Sequence, residues 1–129
     1  MSLVNIPNTG QIQHENKAWC RLLEFFKQEN AILKNRLAEV VDQRTDKDFL
    51  ALAEHFQNKF ISKDEYIDEL RHDINSHENS LTVKDQILGN NKLIKRQQKL
   101  RNEMEYFEKE FNQLKNEFNK YLSTGGMKN

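Results

Sequence analysis

Apolar residues recur at alternating steps of four and three positions between residues 49 and 81. The row reads Phe49, Ala53, Phe56, Phe60, Ile67, Leu70, Ile74 and Leu81, with Lys63 and His77 in its two remaining positions. A repeat of about 3.5 residues keeps one side of a helix facing a partner helix, as in a coiled coil. The segment therefore predicts a long helix, from about residue 47 to about residue 78.

A further helix is predicted on each side of this one. The first, from about residue 14 to about residue 43, carries its apolar stripe at Trp19, Leu22, Phe26, Leu33, Leu37 and Val40, widened by Leu23, Ile32 and Val41. The third, from about residue 82 to about residue 123, carries its stripe at Leu93, Gln97, Leu100, Met104, Phe107, Phe111, Leu114, Phe118 and Tyr121. Gly89-Asn90-Asn91 interrupts its start, so residues 82–90 either belong to it or form a separate short helix.

The three stripes predict an all-α fold, an antiparallel three-helix bundle of long helices with the heptad packing of a coiled coil. One domain is expected over residues 14–123. Residues 1–13 contain the only proline, Pro7, and residues 124–129 contain Gly125-Gly126. Both ends of the chain are therefore expected to be flexible.

The polar positions within the stripes predict a register for the bundle. If helix 2 folds back on helix 3 about residue 80, Phe60 lies near Leu100 and Lys63 faces Gln97. If helix 1 folds on helix 2 about residues 45 and 46, Lys63 also meets Glu29. Glu29, Lys63 and Gln97 would then form one polar layer that rejects shifted pairings, because a shift would bury each polar group alone. The alternative is that Lys63 extends its ammonium to water along an apolar stem.

This register leaves the last turns of helix 3 without a neighbour in the chain. Leu114, Phe118 and Tyr121 would extend past the loop that joins helices 1 and 2. Apolar side chains without intramolecular cover mark an interaction surface. A homodimer that buries them is therefore the expected assembly.

Composition narrows the range of partners. Hydrophobic residues make up 36% of the 129 positions and charged ones 31%, and the formal net charge is zero. A neutral chain offers nucleic acid and anionic membranes no general attraction. No stretch approaches the roughly 20 apolar residues that a membrane span needs. Cys20 is the only cysteine, which favours a reducing, cytoplasmic location.

Charges are nevertheless segregated along helix 3. A basic run (Lys92, Lys95, Arg96, Lys99 and Arg101) is followed by an acidic one (Glu103, Glu105, Glu108 and Glu110). Because no aromatic residue is interleaved in the basic run for base stacking, a nucleic-acid partner is not favoured. Nucleic-acid binding through this run remains a third option, and it predicts an affinity that falls steeply with salt. If two copies of helix 3 paired in antiparallel directions, the basic run of each would face the acidic run of the other. The alternative is that these charges form an ordinary solvated face.

Histidines are the one feature with candidate chemistry. The hairpin geometry brings His14, His72 and His77 to one end of the bundle, with Glu69 and Asp73 nearby. Imidazole with carboxylate suits Zn²⁺ or non-haem iron. Di-iron bundles of the ferritin type, however, use two Glu-x-x-His motifs, and this chain has one. No metal ligand and no cofactor are therefore assigned.

No Gly-rich phosphate loop, nucleophile elbow or Cys–His pair is recognisable in the sequence. The expected function is that of a non-enzymatic interaction or scaffold protein that self-associates. The alternative is a small metal-binding bundle that uses the histidine end.

Overall fold

The computed structural model of the chain describes residues 9–84 and 91–127. Three helices make up its architecture: α1 (Thr9–Val41), α2 (Lys47–Lys84) and α3 (Asn91–Met127). No strand occurs within these two ranges. All three helices contribute to one core of buried apolar side chains, which confirms the prediction of an all-α three-helix bundle.

The start of α1 and the end of α2 lie further out than the sequence pattern predicted, whereas α1 ends at Val41, two residues before its predicted end. Helix α1 begins at Thr9, because Ile12 is buried and extends the stripe one heptad before Trp19. Helix α2 continues to Lys84, because the buried His77 and Leu81 carry its stripe past the polar segment 75–80.

The third helix is also placed differently. Residues 82–84 belong to α2, and α3 as described begins at Asn91 and ends at Met127. The predicted tail therefore has helical backbone over residues 124–127. Residues 85–90 lie outside the described ranges, as do residues 1–8 of the predicted flexible arm.

The buried side of α1 contains two asparagines that the sequence pattern did not single out. Its buried residues are Ile12, Asn16, Trp19, Leu23, Phe26, Asn30, Leu33 and Leu37, again at steps of four and three. Leu22 and Val40 only border this core, and Ile32 is 64% exposed. The stripe of α1 thus passes through Leu23 rather than Leu22, and two polar positions lie within it.

Side-chain pairs give the relative directions of the helices. Residue numbers rise in α1 as they fall in α2 along the pairs Glu24–Arg71, Lys27–Asp68 and Lys34–Asp64. They rise together in α1 and α3 along Glu15–Arg101 and Glu29–Lys115. Helices α1 and α3 therefore run the same way, and α2 runs opposite to both.

The register between α2 and α3 differs from the predicted one. Gln97 faces His77 rather than Lys63, 14 positions further along α2. That distance is two heptads, so the stripe positions of the two helices again face one another. The predicted fold-back about residue 80 is therefore wrong, because residue 80 lies within α2.

This register covers the end of α3 within the chain. Phe118 is fully buried, and its ring packs edge-on against Phe60 at 5.1 Å between centroids. Tyr121 stacks on Phe49 at 4.9 Å, and its hydroxyl donates to the Phe49 carbonyl oxygen at 2.8 Å. Leu114 is buried as well. The predicted uncovered end of α3 is therefore absent, because α2 extends alongside it.

A second, smaller apolar cluster lies at the other end of the bundle. Ile12 and Leu81 form its buried part, and Leu93 and Ile94 pack against them. The main core begins with Trp19 on α1 and Ile74 on α2. Polar side chains occupy the level between the two clusters.

We expect Phe118→Ala to lower the free energy of unfolding by about 3–5 kcal/mol, because it leaves a cavity among packed rings. Urea denaturation followed by far-ultraviolet circular dichroism measures this. The matched control is Phe25→Ala, whose side chain is 53% exposed, and it should change stability by less than about 0.5 kcal/mol. Equal losses in the two variants would show that Phe118 is not buried within the chain.

Candidate functional site

A layer of polar side chains joins all three helices between the two apolar clusters. Asn16 of α1, His77 of α2 and Gln97 of α3 each occupy a stripe position and are buried. Their stripe positions direct the three side chains inward at one level. Glu15, Glu78 and Arg101 flank them, and these six residues are called the polar layer below.

Gln97 is the centre of the polar layer. Its Nε2 donates to Glu15 Oε1 at 2.8 Å and to Asn16 Oδ1 at 3.0 Å. Its Oε1 lies 2.8 Å from Nε2 of His77. An amide oxygen only accepts, so the His77 imidazole donates here and carries its proton on Nε2.

The flanking groups tie the layer to charged residues at the surface. Asn16 Nδ2 donates to Glu78 Oε1 at 2.7 Å. Arg101 donates to both carboxylate oxygens of Glu15, from Nε at 2.8 Å and from Nη2 at 2.7 Å. Such a two-pronged contact fixes orientation as well as distance. The Arg101 guanidinium also holds the pKa of Glu15 below its usual value.

His77 is the least satisfied member of the layer. Its Nδ1 is buried and has no hydrogen-bond partner among the described residues. Burial lowers the pKa of His77, and nearby Arg96 adds to that effect. The hydrogen bond to Gln97 and the charge of Glu78 oppose it without reversing it. The imidazole is therefore neutral at pH 7.

Asn30 makes a second buried polar contact, in the middle of the bundle. Its Nδ2 donates to the Phe60 carbonyl oxygen at 2.8 Å and to Asp64 Oδ1 at 2.9 Å. Lys34 forms an ion pair with the same carboxylate. A signal for Asn16 and Asn30 was present in the sequence: both fall on the four–three continuation of the α1 stripe.

The structure does not bring the predicted Glu29, Lys63 and Gln97 layer together. Glu29 accepts a hydrogen bond from Lys115 of α3 at 2.7 Å. Lys63 is half-buried, with Nζ 5.9 Å from the centre of the Phe107 ring, and desolvation lowers its pKa. Only Gln97 lies in a polar layer, with other partners. The shift of two heptads between α2 and α3 separates Lys63 from Gln97. Glu29 is separated from Lys63 for another reason: it lies outside the buried stripe of α1, on the side of α3.

The histidines also occupy different environments. His77 is inside the polar layer, whereas His14 and His72 are exposed. Of the two carboxylates considered with them, Glu69 is exposed and Asp73 half-buried. Among the described residues, no group of three His, Cys, Asp or Glu side chains is arranged to hold a metal ion.

Comparison with protein-family models, with curated proteins and with solved structures found no match to this chain. Within the described ranges, none of the three helices carries an apolar stretch long enough to cross a membrane.

The surface of the bundle carries large apolar side chains that do not take part in the core. Large apolar side chains are exposed on every helix: Phe25, Ile32, Leu52, Ile61 and Tyr106.

Acid should destabilise the protein through His77. The unfolded chain binds a proton near pH 6.5 that the folded chain resists, because its His77 pKa is lowered. The contribution of His77 to the free energy of unfolding should therefore be constant above pH 6.5. As the pH falls below 6.5, the free energy of unfolding should decrease by up to about 1.4 kcal/mol per pH unit. Urea denaturation at pH 7.5 and at pH 5.5 measures the difference.

The control variants for this prediction are His77→Gln and His72→Gln. The first should remove most of the loss between the two pH values, whereas the second should keep it, because His72 is exposed. Wild-type stability that is equal at both pH values would contradict the burial of His77.

Proposed function

We propose that this chain is a non-enzymatic helical-bundle protein of the cytoplasm that acts by binding other protein chains, including copies of itself. The support is the exposure of large apolar side chains whose positions are not needed by the core. The neutral formal charge gives nucleic acid no general attraction and favours a protein partner.

Phe25 and Ile32 carry this proposal. They are 53% and 64% exposed and lie seven residues apart, which places them on the same side of α1. Burying side chains of this size contributes about 1.5–3 kcal/mol each. A partner that covers both therefore gains free energy without any rearrangement of the core.

Cys20 fits the proposed cytoplasmic location. It is the only cysteine of the chain and is partly buried against the main core. Burial raises its pKa, so that the thiol rather than the thiolate prevails near neutral pH. A reduced, unreactive thiol suits a compartment without disulfide formation.

The alternative of a small metal-binding bundle has less support. Its ligands would be His14, His72 and His77 with nearby carboxylates. His77 already uses Nε2 in the contact with Gln97, and the other two rings are exposed. No contact among the described residues favours this function over protein binding.

Photo-crosslinking in the cells that make the protein tests the proposal. Benzoylphenylalanine in place of Phe25 or Ile32 should yield discrete adducts, which mass spectrometry assigns to a second copy or to another protein. The control position is Asn112, an exposed polar residue of α3, which should yield none. Absence of an adduct from both α1 positions would overturn the proposal.

A further inference from the structure

One face of α3 carries a charge pattern that is complementary to itself. Residues at steps of four and three share this face and are called the charged stripe: Lys92, Arg96, Lys99, Glu103, Tyr106, Glu110, Gln113 and Glu117. Its first part is basic and its second part acidic. Tyr106, which is 58% exposed, lies near the midpoint.

None of these residues belongs to the buried core. Lys99, Gln113 and Glu117 are exposed, and Glu103 and Glu110 are half-buried beside α2. Two carboxylates of the stripe also interact electrostatically with side chains of α2: Glu110 with Lys63, and Glu103 with Tyr66. The stripe is thus an outer face of the bundle with a defined distribution of charge.

We propose that a second copy of this chain docks on the charged stripe in the antiparallel direction. Positions equidistant from the midpoint between Met104 and Glu105 then face one another. In that arrangement Lys99 faces Glu110 and Lys92 faces Glu117 of the other copy. A two-fold axis makes each of these pairs twice.

The remaining positions are compatible with the same arrangement. Arg96 faces Gln113, an amide acceptor, and Tyr106 faces Glu103, whose carboxylate accepts from a phenol hydroxyl. The two Tyr106 rings meet near the axis, where an aromatic side chain contributes most to an interface.

The charges also select the direction of docking. In a parallel dimer Lys99 would face Lys99 and Glu110 would face Glu110, so that every charged position would meet its own sign. Only the antiparallel arrangement joins opposite signs. The stripe from residue 92 to residue 117 is about 38 Å long at the helical rise of 1.5 Å per residue.

This inference rests on the proposed function, because it names the partner and surface for self-association. It predicts a salt-sensitive dimer, since charges near the surface are screened over about 8 Å at physiological ionic strength. Analytical ultracentrifugation of the full chain at low and at high salt should show a dimer that dissociates as salt rises.

Charge reversal gives a sharper test. In the central pairs, where Lys99 of one copy faces Glu110 of the other, Lys99→Glu brings two acidic groups together. Glu110→Lys brings two basic groups together at the same place. Each variant alone should have a dissociation constant at least tenfold above that of the wild type. Mixed together, the two variants should form a dimer of one copy of each, because both central pairs then join opposite charges.

Lys109→Glu is the matched control, because it makes the same change of charge at an exposed position of α3 outside the stripe. It should dimerise as the wild type does. The restored dimer in the mixture also shows that both reversed variants are folded.

Three results would overturn the inference: a wild-type chain that is monomeric at all concentrations and low salt, single reversals that dimerise normally, or a mixture that stays monomeric. A monomeric wild type that still crosslinks another protein from Phe25 would reject this dimer and self-association, and would leave the other part of the proposed function, binding to other proteins, intact.

Discussion

The contact between Gln97 and His77 determines how far α2 and α3 slide past one another. Apolar stripes alone do not determine it, because a slip by a whole heptad returns apolar side chains to apolar neighbours. A buried amide is different, since leaving it without a partner costs about 1–3 kcal/mol. In the observed register Gln97 finds three partners from two helices. The placement of Phe118 and Tyr121 beside α2 follows from that register.

Much of the fold was predictable from the spacing of apolar residues. The stripe from Phe49 to Leu81 was identified position by position, and all its apolar members are buried. The number of helices and their order also followed from the sequence. The register did not, because stripes of equal period fit one another at several offsets. Extending α2 past residue 78 was enough to move its facing position on α3 by two heptads.

The candidate site was predictable only in part. Gln97 was recognised as a polar residue within a stripe, and His77 as the only histidine in one. Asn16, a partner of Gln97, was missed, and so was Asn30, because both interrupt an apolar pattern that had been drawn through Leu22. Once α1 is known to pass through Leu23 and not Leu22, both asparagines fall on the buried side. Assigning the α1 stripe to Leu22 instead of Leu23, a difference of one position, therefore concealed which polar side chains meet.

The polar layer also divides the bundle into two parts of unequal size. On one side lies the main core, and on the other the small cluster of Ile12 and Leu81 with Leu93 and Ile94. Opening the smaller part exposes far less apolar surface than global unfolding, so it requires less free energy. The end of the bundle that holds the first turns of α1 and of α3 is therefore expected to open as a separate cooperative unit, and its backbone amides are expected to exchange with solvent through this local opening.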